Sequence, residues 1–134
     1  MSDDQSPRPL AGAKVLVVDD DEDTRDLYAM ALERAGAEVR AASNASEAFR
    51  VVLKWPPTIV VSDLAMPGLD GSALLREIRS LHRLREIPAI AVSGSVDPRD
   101  REGARAAGFQ EVVAKPLTPQ SLIAILVRWA TAAV

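Results

Sequence analysis

An α/β domain built on a buried parallel sheet is the fold class that this sequence predicts. Three observations predict it: five short Val- and Ile-rich runs, a helix-patterned segment after each of them, and nearly unbroken apolar character in the first, third and fourth runs. Runs this short suit strands better than helices. Strands that alternate with helices pair in parallel, through crossovers that cover the sheet. Strands buried on both faces lose the polar alternation of a half-exposed sheet.

The first run is "KVLVV" (14–18). It leads into "DTRDLYAMALERAG", where the spacing puts Leu27, Met30 and Ala31 on one helical face and Gly36 ends the helix. "AEVRAA" (37–42) is the second strand, and "ASEAFRVVLKW" is a helix that stops against Pro56-Pro57. The third strand, "TIVV" (58–61), precedes "DGSALLREIRSLHRL", with Leu74, Leu75, Ile78 and Leu81 at amphipathic spacing. "AIAV" (89–92) is followed by a polar helix capped by Asp97, opened by Pro98 and closed at Gly108. "EVVA" (111–114) leads to a last helix with Thr118 and Pro119 at its start. There Leu122, Ile125, Leu126 and Trp129 form the core face, flanked by Ile123 and Val127.

At 134 residues the chain is one domain's worth, and 48% hydrophobic with 26% charged residues excludes disorder throughout. The absence of cysteine excludes a disulfide framework and thiolate metal sites, and fits a reducing compartment. No apolar run approaches the ~20 residues of a membrane span. The acidic start "MSDDQSPRPLAGA" has no hydrophobic block and is no signal peptide. It reads as a flexible tail over residues 1–12, ahead of a domain at 13–134. Net charge is −3, with 13 Arg and 3 Lys scattered among acids, so there is no electrostatic footprint for nucleic acid. The expectation is a cytoplasmic protein that contacts neither nucleic acid nor membrane.

Ligands of doubly wound sheets bind beyond the carboxyl ends of the strands. The first strand ends in Asp19, Asp20 and Asp21, the third in Ser62 and Asp63, the fourth in Ser93 and Gly94, and the fifth in Lys115 and Pro116. The second offers no charge. Several carboxylates sharing one crevice repel unless a cation sits among them. An all-oxygen set suits a hard divalent ion, and Mg²⁺ takes a few carboxylates while keeping waters that a phosphate can replace. Asp63 is then an oxygen nucleophile beside a metal, with a hydroxyl and an ammonium ready for a phosphoryl group.

These residues stand in "VLVVDDDEDTR", "IVVSDLAMPGLDG", "IPAIAVSGS" and "VVAKPLT". Together, in that order and spacing, they resemble the receiver domains of bacterial response regulators, single-domain chemotaxis regulators among them, over residues 13 to 131. The resemblance implies a flavodoxin-like (βα)₅ domain with strand order 2-1-3-4-5. It implies that Asp63 accepts a phosphoryl group from a histidine kinase or histidine phosphotransfer protein. Mg²⁺, or Mn²⁺ in its place, would be held by Asp19, Asp20, Asp63 and the backbone carbonyl of Ala65. Ser93 and Lys115 would contact the phosphoryl oxygens, with the Lys115–Pro116 bond cis. The protein would be no enzyme beyond chemistry on its own aspartate.

Other readings of the same residues are weaker. The acids at 19, 21 and 23 could begin a calcium loop, but its glycine position holds Thr24 and its twelfth position Met30. A haloacid-type phosphatase needs an acid where Ala65 stands, and an acid-rich loop without a metal repels the phosphate of a flavin. His82, the single histidine, reads as a solvated helix-end residue.

For signalling, the loop after the fourth strand is the expected switch, with Gly94 supplying freedom. Position 112, where many relatives carry a mobile aromatic, is Val112, and Phe109 belongs to the preceding turn. Ile123 and Val127 are candidates for a partner surface or a weak, phosphorylation-dependent dimer of an otherwise monomeric protein. Small residues at Ala65 and Ser95 imply open access for hydrolytic water. Met1, the tail and the lack of a trailing linker favour a stand-alone regulator over a receiver excised from a longer chain. A scaffold receiver that is never phosphorylated is disfavoured, because every chemical position is filled.

Overall fold

The computed structural model describes residues 8–132 other than 67, 69 and 95. Five strands, β1 (Lys14–Val18), β2 (Glu38–Ala42), β3 (Ile59–Asp63), β4 (Ala89–Ser93) and β5 (Glu111–Ala114), alternate with α1 (Glu22–Arg34), α2 (Ala45–Lys54), α3 (Gly71–Arg79), α4 (Pro98–Ala107) and α5 (Pro119–Ala132). All strand pairs are parallel, in the order β2-β1-β3-β4-β5. This is the flavodoxin-like doubly wound architecture that the sequence predicts.

Each helix starts where a side chain satisfies an orphan N–H. Asp21, Asn44, Asp70 and Asp97 accept from Thr24, Glu47, Ala73 and Asp100 at the entries of α1 to α4. Thr118 does the same for Ser121 at α5. Each such cap is worth about 1 kcal/mol. α4 ends where Gly108, at φ +114, lets Phe109 N–H reach back to the Ala104 carbonyl.

The sheet separates two cores. Leu16, Val18, Val60, Ala89, Ala91 and Val112 face α2, α3 and α4, while Val15, Val17, Ile59, Val61, Ile90 and Val92 face α1 and α5. α4 contributes only Ala104 and Ala107 as buried residues, in keeping with its polar sequence. Leu122, Ile125 and Leu126 of α5 are buried, and Trp129, Ile123 and Val127 pack partly buried at their edge.

Two expectations need correction. The inward face of α1 is Tyr28 and Leu32, continued by Ala35, whereas Leu27 and Met30 are 51% and 53% exposed. Both stripes have helical spacing, so periodicity alone cannot choose between them; the Asp21 cap and the fit against the sheet set the rotation. The second correction concerns the tail. Leu10 is 1% exposed, and its N–H bonds the Ala35 carbonyl, so the packed domain begins before residue 13. Residues 1–7, the rest of that tail, lie outside the described residues, as does Ser95.

Candidate functional site

Strand register brings the chemistry together. Val18 pairs with Ser62, Asp63 with Val92, and Ser93 with Ala114. Asp19 and Asp63 are therefore level at the carboxyl edge, with Ser93 one step and Lys115 two steps further along the strands. Side chains alternate along a strand. Counting by twos from Val17, Val61 and Val113 puts Asp19, Asp63 and Lys115 on the α1/α5 side, while Ser93 follows Ala91 toward α3 and α4.

Lys115 Nζ lies 3.0 Å from both Asp19 Oδ2 and Asp63 Oδ2. Asp19 and Asp63 are buried, Ser93 is 4% exposed, and Asp20 stands in solvent. One carboxylate oxygen from each of Asp19, Asp20 and Asp63 falls within 4.8 Å of the other two. Burial weakens the Lys115 ammonium, but its hydrogen bonds to Asp63 and Asp19 and their charges outweigh this and raise it above its ordinary 10.5. Three carboxylates meeting one ammonium leave negative charge in excess, and the donors are all hard oxygens. The residues present fit a Mg²⁺-type ion.

Backbone donors set the acids. Asp19 Oδ1 accepts from Asp21 N–H, and Asp63 Oδ1 from Ala65 N–H. Asp19's carbonyl accepts from the Arg25 guanidinium at 2.8 Å. Ser62, 1% exposed, turns its hydroxyl onto the Asp63 carbonyl. Lys115 is held to β4 through its N–H and the Ser93 carbonyl, and the Lys115–Pro116 bond is cis. Ala65 is exposed, and with Ser93 and Arg99 it lines a cleft of about 630 Å³ between the loop after β3 and α4.

Several contributors were not legible as such. Gly71 opens α3 so close to β3 that a Cβ there would lie 2.3 Å from the Asp63 carbonyl oxygen. It stands inside "IVVSDLAMPGLDG", yet reads there only as a helix entry. Tyr28, 4% exposed, donates its hydroxyl to the Leu117 carbonyl at 3.1 Å, just past Lys115 and Pro116. Burial holds that phenol above its ordinary 10.0. Gly94, by contrast, is exposed with open space where a Cβ would go and no positive φ, so nothing in this conformation demands a glycine. Val112 is buried on the α3/α4 side near Phe109, and offers no aromatic ring to move.

The chain matches the family model of the response regulator receiver domain over residues 15–127. It is similar to an uncharacterized 14.6 kDa protein in the sodA1 3′ region of Leptolyngbya boryana, 41% identical over 123 residues, which are 92% of this chain and 94% of that one. It is 34% identical over 113 residues, 84% of this chain, to the transcriptional regulatory protein GltR of Pseudomonas aeruginosa, of which it spans 47%. It spans 51% of that organism's phosphate regulon regulator PhoB. The solved chemotaxis protein CheY4 of Vibrio cholerae superposes with a TM-score of 0.85 at 28% identity, over 89% of this chain and 99% of that one. Sequence, topology and the carboxyl edge of the sheet thus agree, and the chain belongs to the response regulator receiver domain family.

Proposed function

We propose that this receiver is phosphorylated on Asp63 by a histidine kinase or histidine phosphotransfer protein, and then alters a protein partner. The observation that supports this most is the Lys115 ammonium held 3.0 Å from both Asp63 and Asp19. A carboxylate oxygen of Asp63 attacks phosphorus, the phosphorus–nitrogen bond of the donor breaks, and the imidazole leaves with the electron pair. Lys115 exchanges part of its contact with Asp63 for a phosphoryl oxygen, and the Ser93 hydroxyl donates to another. Asp19, Asp20, Asp63 and the Ala65 carbonyl are the residues that would hold Mg²⁺, or Mn²⁺. When bound, the ion offsets charge on the transferring phosphoryl oxygens.

The downstream step follows from the same contacts. Drawing Ser93 toward a phosphoryl group pulls on Gly94 and the loop into α4, favouring one arrangement of the α4–β5–α5 face. That face carries Ile123 and Val127, and Val112 replaces any aromatic relay. The protein acts in the cytoplasm by protein contact, as a monomer or a weak dimer, with chemistry confined to its own aspartate. No described helix is long and apolar enough to cross a membrane. A stand-alone regulator is the reading supported by the similar span of the Leptolyngbya protein. A receiver within a longer chain is supported by the partial spans of GltR and PhoB.

Incubation with acetyl phosphate and Mg²⁺, read by intact mass, tests the proposal. Wild type gains one phosphoryl group and Asp63→Asn gains none. A gain in both proteins moves the acceptor elsewhere.

A further inference from the structure

The turn that carries Lys115 has an anchor in a distant helix. β5 is the edge of the sheet, and after the Lys115 N–H bonds the Ser93 carbonyl, Pro116 has no N–H to offer. Thr118 is committed to the entry of α5. Between them, the Leu117 carbonyl accepts from the Tyr28 hydroxyl, 89 residues away in sequence. Tyr28 belongs to α1, the helix that Asp21 caps directly after Asp19 and Asp20. One side chain thus connects the helix that follows the acids to the turn that follows the lysine.

Phenylalanine would fill the same space without the cost of burying a hydroxyl, so the bond to Leu117 is what the phenolic oxygen contributes. The tie also acts at the right place. Nζ meets two carboxylates at 3.0 Å from a turn on an edge strand, and a drift of that turn lengthens both contacts together. We infer that Tyr28 is a positioning residue for Lys115, holding the Leu117 carbonyl so that the ammonium stays within reach of Asp63. This rests on the phosphoacceptor reading above and extends it to a residue outside the acids and the lysine.

Tyr28→Phe keeps the ring and removes the tie. Two quantities are read: the rate of phosphoryl gain from acetyl phosphate with Mg²⁺, and hydrogen exchange over residues 115–122 of the metal-free protein. In that gain an Asp63 oxygen bonds to phosphorus as the phosphorus–oxygen bond breaks and acetate leaves with the electron pair. The rate is expected to fall about three- to tenfold, the worth of one hydrogen bond. Exchange over 115–122 quickens while peptides from β1 and β3 hold. In a Lys115→Ala background the same substitution changes the rate less than about twofold, because the tyrosine acts through the lysine. Wild-type rate and exchange in Tyr28→Phe would overturn the inference. Equal slowing in both backgrounds would overturn it too, by making Tyr28 a general stability contact. If wild type gains no phosphoryl group while loop exchange still quickens in Tyr28→Phe, the phosphoacceptor reading is lost and the tether stands.

Discussion

Lys115 holds together two acids that would otherwise face each other across the end of β1 and β3, and that role has a pH signature. Its folded pKa is raised above 10.5, despite burial, by Asp63 and Asp19. Between the unfolded and folded values the folded chain binds the extra proton, so stability falls as pH rises through that window and is fully present below it. Tyr28, raised above 10.0 mainly by burial, adds to the loss in the same direction. Denaturation midpoints followed from pH 8 to 11 should hold at first, then drop above about pH 10. The drop should be shallower in Lys115→Met. An equally steep decline in that variant would detach Lys115 from the effect.

Between elements, a close approach at Gly71 braces the site and the hydrogen bonds of Arg79 brace the fold away from it. Gly71 lets α3 start against the Asp63 carbonyl; alanine there meets backbone at 2.3 Å, so the loop after β3 must move. Gly71→Ala should cost about 3 kcal/mol in chemical denaturation and slow phosphoryl gain as well. A stability change below about 0.5 kcal/mol would mean that the approach relaxes freely. At the amino ends of β4 and β5, Arg79 donates to the carbonyls of Leu84, Ile87 and Gly108 and to Gln110, whose side-chain oxygen also takes the Ala89 N–H. Arg79→Ala leaves those groups short of a donor. It should cost about 2 kcal/mol while sparing the rate of phosphoryl gain, since the arginine lies far from the acids along the strands.

What could be read from the sequence at this scale divides by physics. Strand ends were legible because apolar runs stop at polar or charged residues, and the four runs that meet at the candidate site lead into Asp19, Asp63, Ser93 and Lys115. Helix caps were legible at Asp97 and Thr118, where the capping residue is followed by proline. The rotation of α1 was not, since Leu27–Met30–Ala31 and Tyr28–Leu32–Ala35 are both helical stripes. Tyr28 could have been found by asking which stripe supplies a partner for a buried phenol. Arg79 could not, because three of its four acceptors are backbone carbonyls that carry no sequence signal.

For the whole molecule, the two faces of the sheet have different duties. The α1/α5 side packs around Asp19, Asp63 and Lys115, and the α3/α4 side offers Ser93, a thinly anchored α4 and an open cleft. On the proposed function, charge arriving at the shared edge would act on the looser side first. If that motion exposes a contact on α4, β5 and α5, beryllofluoride with Mg²⁺ should raise association in light scattering. Alanine at both Ile123 and Val127 should remove the rise, with a modest loss of stability because both side chains are half-buried. Association that does not change on that substitution would discard the α5 contact.

The chemistry at the edge of the sheet is most directly tested by reductive trapping. After acetyl phosphate and Mg²⁺, borohydride converts an aspartyl phosphate to homoserine, and peptide sequencing by mass reads where. Homoserine at position 63 alone is the expected result. Homoserine at 19 or 20, or none in a protein whose mass shows a stable phosphoryl group, would contradict Asp63 as the acceptor.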